Sequence, residues 1–269
     1  MKIVVCIKQV PDTTDVKIDP ATNTLIREGV ASIPNPYDVH ALEMALEIKD
    51  SDPQTNITVI SMGPPQAKEV LKKAISLGAD EGILLTDRSF AGADTLATSY
   101  ALSAAISKLE PDLVLCGKQA IDGDTAQVGP GIATRMGYTQ LTYVSKIIKA
   151  DLDNKEIIVE RKLEDGIETL SAKLPALITV VKESNSIRYA SLPNLMKSLK
   201  IEPKTWTKDD LSVDAQFLGL KGSPTFVVKI FTPPLKEGGN LLEPSYDQIS
   251  KIVDEVLPLI KSEAVKCNV

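Results

Sequence analysis

The sequence is poor in the side chains that build metal sites, disulfide frameworks and catalytic triads. It has three cysteines and one histidine in 269 residues. Cys6, Cys116 and Cys267 are too scattered for a C-x-x-C metal site and too few for a disulfide framework. His40 lies in the helical pattern PYDVHALEMALEIK, which favours a surface or half-buried structural residue over a catalytic base. We therefore expect no metal or iron–sulfur site, and the case for a hydrolase triad is weak.

The sequence also lacks a basic surplus and a long apolar run. Its formal net charge of -6 and pI near 5.0 argue against nucleic acid as a partner, because a phosphate backbone calls for a basic surface. The N-terminal stretch MKIVVCIKQVPD is too short and too broken for a signal peptide or a membrane span. We expect a cytoplasmic protein without membrane insertion.

The first two-thirds of the chain alternates short apolar runs with helical patterns. KIVVCIKQV, NITVISMG, EGILLT and PDLVLCG read as buried strands, and the segments between and after them as helices, the last being TAQVGPGIATRMG. Residues 16–34 predict a β-hairpin with a turn at Pro20–Asn23. This alternation predicts an α/β fold with a doubly wound, mostly parallel, nucleotide-binding sheet.

The pattern changes after residue 140. Residues 141–181 predict strands joined by DLDN and EDG turns, an antiparallel meander that extends the sheet. Residues 182–212 mix polar, proline and basic residues, which predicts a linker or protruding loop. Near the end, Ile249, Ile252, Val253, Val256 and Leu257 fall at helical spacing, with Pro258 expected to kink or divide the helix. We predict an α/β domain over residues 1–235 and a C-terminal helical arm over 236–269.

The stretch LVLCGKQAIDGDTAQVGPGIATRMG runs from a buried strand through a polar turn into a helix. Ligands of doubly wound sheets bind beyond the carboxyl ends of the strands, where this turn lies. Gly117 and Gly123 permit close backbone approach, Asp124 or Thr125 can cap the helix, and the free N–H groups of a helix start attract phosphate. Asp122 and Asp124 repel phosphate and are better suited to capping or to ribose hydrogen bonds. Without a Walker or G-x-G-x-x-G motif, the pattern alone leaves open a capped turn that binds nothing.

Three further turns gather at the same edge of the predicted sheet. SIPNPYD offers Asn35, which could pair with a base or ribose edge or cap its own helix, and Pro36 at a first helical position. SMGPPQ follows the second strand. TDRSFAGADT follows the third and carries Gly92, with Asp94 and Thr95 at the predicted helix start.

Several segments together resemble the β subunit of electron transfer flavoproteins. They are VVCIKQVPD, NPYDVHALEMAL, GPPQAKEVLKKAISLGAD, LVLCGKQAIDGDTAQVGPGIA, ETLSAKLPALITV and RYASLPNLMK, in the order the family has them, and they cover residues 1 to about 235. The resemblance implies a heterodimer with an α subunit that carries FAD, while this chain holds a nucleotide. Carried over to this sequence, the nucleotide contacts are Cys6, Asn35, Pro36, Tyr37, Asp38, Met62, Gly117, Lys118, Gln119, Ala120, Ile121, Asp122, Gly123, Asp124, Thr125, Ala126, Gln127 and Val128.

The resemblance extends to a subtype. VPDTTDVKI, TLIREGVASIPNPYD and especially DRSFAGADTLATS resemble the NADH-linked, electron-bifurcating members, in which the β ligand is a second FAD; in respiratory members it is AMP. The added flavin contacts are Ala91, Gly92, Ala93, Asp94, Thr95 and Thr98. This implies hydride transfer from NADH to the flavin N5, with one electron passing to the α-subunit FAD and one to ferredoxin. No acid or base is assigned to this chain, since hydride transfer needs none.

The segment RYASLPNLMKSLK resembles the loop with which the family grips an acyl-CoA or other flavin dehydrogenase. The implied contacts are Arg188, Tyr189, Leu192, Pro193 and Met196, with Leu192 as the anchor. The alternative is that Leu192 packs under its own loop. The resemblance also implies that the C-terminal arm packs on the α subunit.

Two other classes share the predicted sheet. A regulatory protein of the universal-stress type would bind ATP and remain colourless. An ATP-pyrophosphatase-like ligase needs a glycine- and serine-rich loop after the first strand, and CIKQVPDTTD contains neither residue.

Overall fold

The computed structural model describes residues 1–12, 18–19, 24–25, 32–151, 153–228 and 249–266. The chain divides into two compact units, Met1–Ile230 and Phe231–Val269, which are described separately. In the part of the chain that the structure describes, no helix combines the length and apolar character needed to cross a membrane.

The strands of the first unit form one large sheet and two small ones. In chain order they are β1 (Lys2–Cys6), β2 (Gln9–Pro11), β3 (Ile18–Asp19), β4 (Thr24–Leu25), β5 (Ser32–Pro34), β6 (Asn56–Met62), β7 (Glu81–Leu85), β8 (Leu113–Gly117), β9 (Thr139–Asp151), β10 (Glu156–Lys162), β11 (Ile167–Lys173), β12 (Ala176–Val180) and β13 (Lys204–Trp206). The large sheet has nine strands in the order β11-β10-β9-β12-β8-β1-β6-β7-β13. β2 pairs with β5, and β3 with β4, both antiparallel. The hairpin predicted over residues 16–34 is confirmed by the β3–β4 pair, while its turn lies outside the described residues.

The helices of the first unit are α1 (Pro36–Ser51), α2 (Lys68–Leu77), α3 (Thr95–Ser107), α4 (Val128–Met136) and α5 (Leu192–Lys200). α1 and α2 share one apolar cluster with the sheet, and α3 and α4 share the other, so the sheet is covered on both faces. Pro36 stands at the start of α1, as predicted, where its missing N–H costs no hydrogen bond. α2 ends at Gly78, whose φ of 135° suits glycine.

The antiparallel meander is confirmed for β9, β10 and β11 but is wrong for the last strand. β12 lies between β9 and β8 and is parallel to both. All five of its residues are buried, because a strand in the middle of a sheet covered by helices faces apolar side chains on both sides. The unbroken apolar run ALITV, without alternation, is the sequence signal for this position. From β9 to β13 every neighbouring pair is therefore parallel.

The prediction of a linker or protruding loop over residues 182–212 is wrong in its secondary structure. The segment contains α5, which packs on α2, and β13, which extends the large sheet beside β7. Ser191 caps α5 by accepting a hydrogen bond from the Asn194 N–H at 3.3 Å. Nine helical residues and three strand residues are too few to produce a long periodic pattern, so the sequence reads as irregular.

In the second unit, α6 spans Ile249–Lys266. Pro258 lies inside this helix and does not divide it, so of the two predicted effects only a kink stays a prediction. Ile249, Val253 and Leu257 remain between 44% and 49% exposed. An apolar stripe of this kind needs a covering surface, and the predicted packing of residues 236–269 on an α subunit stays a prediction.

Candidate nucleotide-binding site

The predicted nucleotide residues of the first strands gather at one edge of the sheet. β1 lies between β6, which follows it in the chain, and β8, which starts the other half of the sheet. The carboxyl ends of β1 and β8 therefore border the crevice where open α/β sheets bind ligands. Cys6 ends β1, Met62 ends β6 and Gly117 ends β8. The start of α1, with Pro36 and Tyr37 half-buried, faces the same crevice, since Tyr37 packs against Gly117.

Three sulfur-containing side chains lie near this edge of the sheet, on the face that α3 and α4 cover. Cys6, Met62 and Cys116 belong to the apolar cluster of that face. A hydrogen bond with the Cys6 thiol and burial raise the pKa of the Cys116 thiol well above its usual value, so Cys116 stays a neutral thiol. Cys116 was missed among the predicted site residues. The register of β1 and β8 places Cys116 beside Cys6, because Val5 pairs with Leu115 and each cysteine is the next residue of its strand.

The loop after β8, residues 118–127, is named the rim loop. The Lys118 N–H donates to the Val180 carbonyl at 2.8 Å, and the N–H groups of Gly123 and Asp124 donate to the Ala120 carbonyl. The amide of Gln119 donates to the Asp124 carboxylate. The loop is thus built from internal turns, with Ile121, Asp122, Gly123, Asp124, Thr125 and Gln127 exposed.

The buried side chain of Asn35 holds the rim loop through two hydrogen bonds. Its side-chain amide donates to the Gln119 carbonyl at 2.9 Å, and the Ile121 N–H donates to its Oδ1 at 3.2 Å. The residue is 1% exposed and makes no capping hydrogen bond to α1. The helix cap predicted as one alternative is therefore wrong, while a contact with a base or ribose stays a prediction; in the structure Asn35 positions the loop.

Lys8 is a second support that the sequence reading missed. Its ammonium group donates to both carboxylate oxygens of Asp122, at 2.6 and 2.8 Å. This pair neutralises the charge of Asp122, which would otherwise repel an anionic ligand. The only sequence signal is its place, two residues past Cys6 at the carboxyl end of β1. Asp122 does not cap α4, and its predicted hydrogen bond to a ribose stays a prediction.

The start of α4 differs from the prediction by three residues. The helix begins at Val128 with Gln127 as the N-cap, and no side chain caps it. Asp124 and Thr125 therefore do not cap α4. Asp124 and Ala126 adopt left-handed φ values of 55° and 54°, so residues 124–126 form a turn and are not part of α4. The uncapped first turn leaves N–H groups pointing out of the helix start.

The start of α3 lies beside the start of α4. Asp94 caps α3 by accepting from the N–H groups of Leu96 and Ala97 at 3.0 and 3.1 Å, which confirms the helix start predicted at Asp94 and Thr95. The Thr95 hydroxyl donates to the Gln127 side-chain oxygen at 3.1 Å and joins the two helix starts. The positive dipole end of α4, which no side chain caps, is suited to a phosphate or pyrophosphate, whereas Asp94 already occupies that of α3.

The turn before α3 is anchored to a later segment. Gly92 adopts a φ of 72° and packs on Leu220, whose N–H donates to the Ala91 carbonyl at 3.0 Å. The other oxygen of Asp94 accepts from the Thr225 hydroxyl at 2.9 Å. Ala91 and Gly92 remain exposed, and Ala93, Thr95 and Thr98 half-buried, so this turn stays accessible.

Asp38 joins the two strand ends of the crevice. Its carboxylate accepts from the Lys8 N–H at 2.8 Å and from the Gly117 N–H at 3.1 Å. Burial raises the pKa of Asp38 to about 7, although the N–H groups of Lys8 and Gly117 act to lower it. Gly117 is required here, because a Cβ would stand 2.6 Å from the Tyr37 Cβ and closer still to the carboxylate.

These observations fit an adenosine nucleotide. The rim loop and the adjacent turn are exposed, two helix starts lie side by side, and nothing stands within 4 Å of a Cβ added at Gly123. Within the described residues, no cluster of three or more His, Cys, Asp or Glu side chains is arranged to hold a metal ion.

The predicted dehydrogenase contacts lie on the segment that leads into α5. Tyr189, Leu192 and Met196 are 97%, 70% and 52% exposed, so the alternative that Leu192 packs under its own loop is wrong. Pro193 is exposed in the first turn of α5. Arg188 differs, since its guanidinium binds Glu43 and Asp50 of α1 at 2.9 and 2.7 Å. Those hydrogen bonds raise the pKa of Arg188 further above its usual value, and the residue anchors the segment.

His40 is half-buried in α1, as the sequence favoured. The Glu183 N–H donates to its Nε2 at 3.3 Å, so Nδ1 carries the proton and donates to the Asn185 side chain at 2.8 Å. Both ring nitrogens therefore serve the fold.

Comparison with known proteins identifies the family. The electron transfer flavoprotein domain model matches residues 22–211. The chain is 53% identical to the electron transfer flavoprotein subunit beta of Clostridium acetobutylicum, over 90% of this chain and 92% of that protein. It is 51% identical to subunit CarD of the caffeyl-CoA reductase-Etf complex of Acetobacterium woodii, with the same shares covered, and 49% identical to protein FixA of Azotobacter vinelandii over 95% and 92%. The chain belongs to the electron transfer flavoprotein family and is similar throughout most of its length to the β and FixA subunits.

Proposed function

We propose that this chain is the β subunit of a heterodimeric electron transfer flavoprotein that binds FAD at the rim loop and accepts hydride from NADH. Electrons then divide between the FAD of the α subunit, which serves a flavin dehydrogenase, and ferredoxin. The complex acts in the cytoplasm. The observation that carries the proposal is the pair of helix starts, α3 and α4, joined by Thr95 and Gln127 beside an exposed loop.

The residues of this chain bind and orient the nucleotide. The uncapped start of α4 presents N–H groups and a positive dipole end to a pyrophosphate, and Thr95 joins it to the start of α3, which Asp94 caps. Asn35 and Lys8 fix the rim loop, and Lys8 cancels the charge of Asp122. When bound, FAD supplies the hydride and single-electron chemistry, which no side chain of this site provides.

The choice of FAD over AMP rests on space. AMP is a mononucleotide and is smaller than FAD. The turn at Ala91 and Gly92 is exposed and the surface at Gly123 is open, which leaves room for the flavin half of the dinucleotide FAD. The similarity to a subunit named for a caffeyl-CoA reductase complex is consistent with service to an acyl-CoA type of dehydrogenase. Family membership favours electron transfer over the universal-stress type of regulation.

The test is the nucleotide content of the heterodimer purified with its α subunit. We expect two FAD per heterodimer and bleaching of the flavin spectrum by NADH. One FAD with one AMP, and no response to NADH, would show the respiratory type. ATP without flavin would place the chain in the regulatory class.

Asn35→Ala gives the matched variant, since it removes both hydrogen bonds to the rim loop. Leaving the buried partners of Asn35 unpaired costs about 1–3 kcal/mol, so we expect FAD binding at this site alone to weaken by about 5- to 150-fold. The control is Asn154→Ala, whose amide bonds Asp151 in the β9–β10 turn, away from the rim. Equal FAD content in both variants would contradict the placement of the site.

A further inference from the structure

The buried carboxylate of Asp38 occupies the point where the two halves of the sheet separate. Asp38 lies in the first turn of α1 and is 7% exposed. One oxygen accepts from the Lys8 N–H, just past β1, and the other from the Gly117 N–H, at the end of β8. β1 and β8 are neighbours in the sheet, but their connections run to opposite sides. A single side chain thus spans the crevice at which a ligand of this fold binds.

The bonding of Asp38 requires its ionised form. A carboxylate accepts on both oxygens, whereas a protonated carboxyl group carries an O–H donor on one of them. Both partners here are N–H donors, so the proton would face a donor on either side. Protonation therefore breaks one of the two bonds and frees one strand end.

Each strand end carries a part of the candidate site. Lys8 binds Asp122 in the middle of the rim loop, and Gly117 is the residue from which that loop departs. The position of the rim loop therefore depends on Asp38 through two routes, although Asp38 itself is buried beneath it.

We propose that Asp38 is a positioning residue of the nucleotide site, which acts through Lys8 and Gly117 and not by touching the ligand. Its ionised form holds the rim loop in the geometry that binds an adenosine nucleotide, and its protonation weakens that binding. The inference rests on the proposed nucleotide binding, though not on whether the ligand is FAD or AMP.

The surroundings of Asp38 bring its protonation close to neutral pH. Burial raises its pKa to about 7, against the lowering effects of the Lys8 N–H, the Asn35 side chain, the Gly117 N–H and the Lys8 charge. The Cys116 thiol, which is hydrogen-bonded to the Cys6 thiol, faces it from the strands. A direct repulsion between Asp38 and an anionic nucleotide would have the opposite sign, weakening binding as the pH rises. The direction of the pH dependence therefore separates positioning from contact.

The experiment compares FAD affinity of the wild-type and Asp38→Asn chains between pH 5.5 and 8.5, each as the nucleotide-depleted complex with the α subunit. An asparagine cannot accept on both sides, so it represents the protonated state at every pH. The ratio of wild-type to variant affinity is expected to rise with pH from near 1 to about tenfold or more, the loss expected for one hydrogen bond to a charged group, and to level off above the pKa of about 7. If only AMP binds, AMP serves as the probe, because its own protonation cancels in the ratio.

Asp112→Asn is the control. Asp112 joins the same two strands at their amino ends, where its Oδ2 accepts from the Lys2 N–H at 2.7 Å. Its ratio to the wild type is expected to stay constant with pH. If Asp38→Asn does not fold, the FAD-binding profiles of the wild type and of Asp112→Asn replace it. A rise with pH in both chains, which both keep Asp38, supports the inference, and a flat or falling wild-type profile overturns it.

The outcomes separate the two proposals. A ratio that is constant or falls with pH, while nucleotide still binds, overturns the role of Asp38 and leaves the proposed function standing. Failure of the wild type to bind FAD or AMP at any pH overturns both.

Discussion

Replacing Gly117 by alanine tests the packing beneath the rim loop. The added Cβ would stand 2.6 Å from the Tyr37 Cβ and closer still to the Asp38 carboxylate, so α1 or the end of β8 must shift. Overpacking of this kind costs about 1–3 kcal/mol. Displacing the carboxylate also weakens a hydrogen bond to a charged group, which contributes about 1.5–3 kcal/mol. Because the two effects share one movement, we expect a loss of about 2–4 kcal/mol in the free energy of unfolding.

Urea denaturation of the full chain measures this loss, and Gly166→Ala is the matched control. Gly166 lies in the turn before β11, and no heavy atom stands within 4 Å of a Cβ added there. We expect the control to change the free energy of unfolding by no more than about 0.5 kcal/mol. Nucleotide affinity should fall in Gly117→Ala alone. Two variants of equal stability would refute the close packing of Gly117 on α1.

Two further predictions concern the segment that leads into α5. Arg188→Met leaves the buried Glu43 carboxylate without its partner, so we expect it to lower the free energy of unfolding by about 1–3 kcal/mol. The double variant with Glu43→Gln should recover most of this loss in thermal unfolding. If it does not, the two side chains are not coupled. Leu192→Ala should slow electron transfer with the dehydrogenase partner by about tenfold or more without changing stability, because Leu192 is 70% exposed. Ile167→Ala, on an equally exposed side chain of β11, serves as control, and equal rates in both variants would remove Leu192 from the docking surface.

The sheet was predictable from the sequence wherever each strand is followed by a helix. The apolar runs of β1, β6, β7 and β8 and the helices between them are strong periodic signals. β12 was misplaced because pairing partners are chosen by tertiary packing, and its apolar run resembles any buried strand. α5 and β13 were missed because elements of nine and three residues carry little periodicity.

The site was predictable in position but only partly in its interactions. The rule that ligands lie beyond strand ends predicted that Met62 and Gly117 lie in turns at one edge of the sheet, while Cys6 was predicted through the family resemblance. It could not show that Asn35 would support the rim loop, since its partners lie 84 and 86 residues away in the chain. Lys8 and Cys116 were missed for the same reason, because their roles depend on register and on a loop far along the sequence.

The position of β12 has a consequence for synthesis on the ribosome. The Lys118 N–H donates to the Val180 carbonyl, so the first residue of the rim loop is held by a residue made some sixty positions later. A nascent chain that ends before Ala176 has β1, β6, β7 and β8 but neither this anchor nor the strand that separates β8 from β9. A product truncated before Ala176 would therefore keep the bonds from Asn35 and Lys8 to the rim loop but lack the one that fixes its first residue.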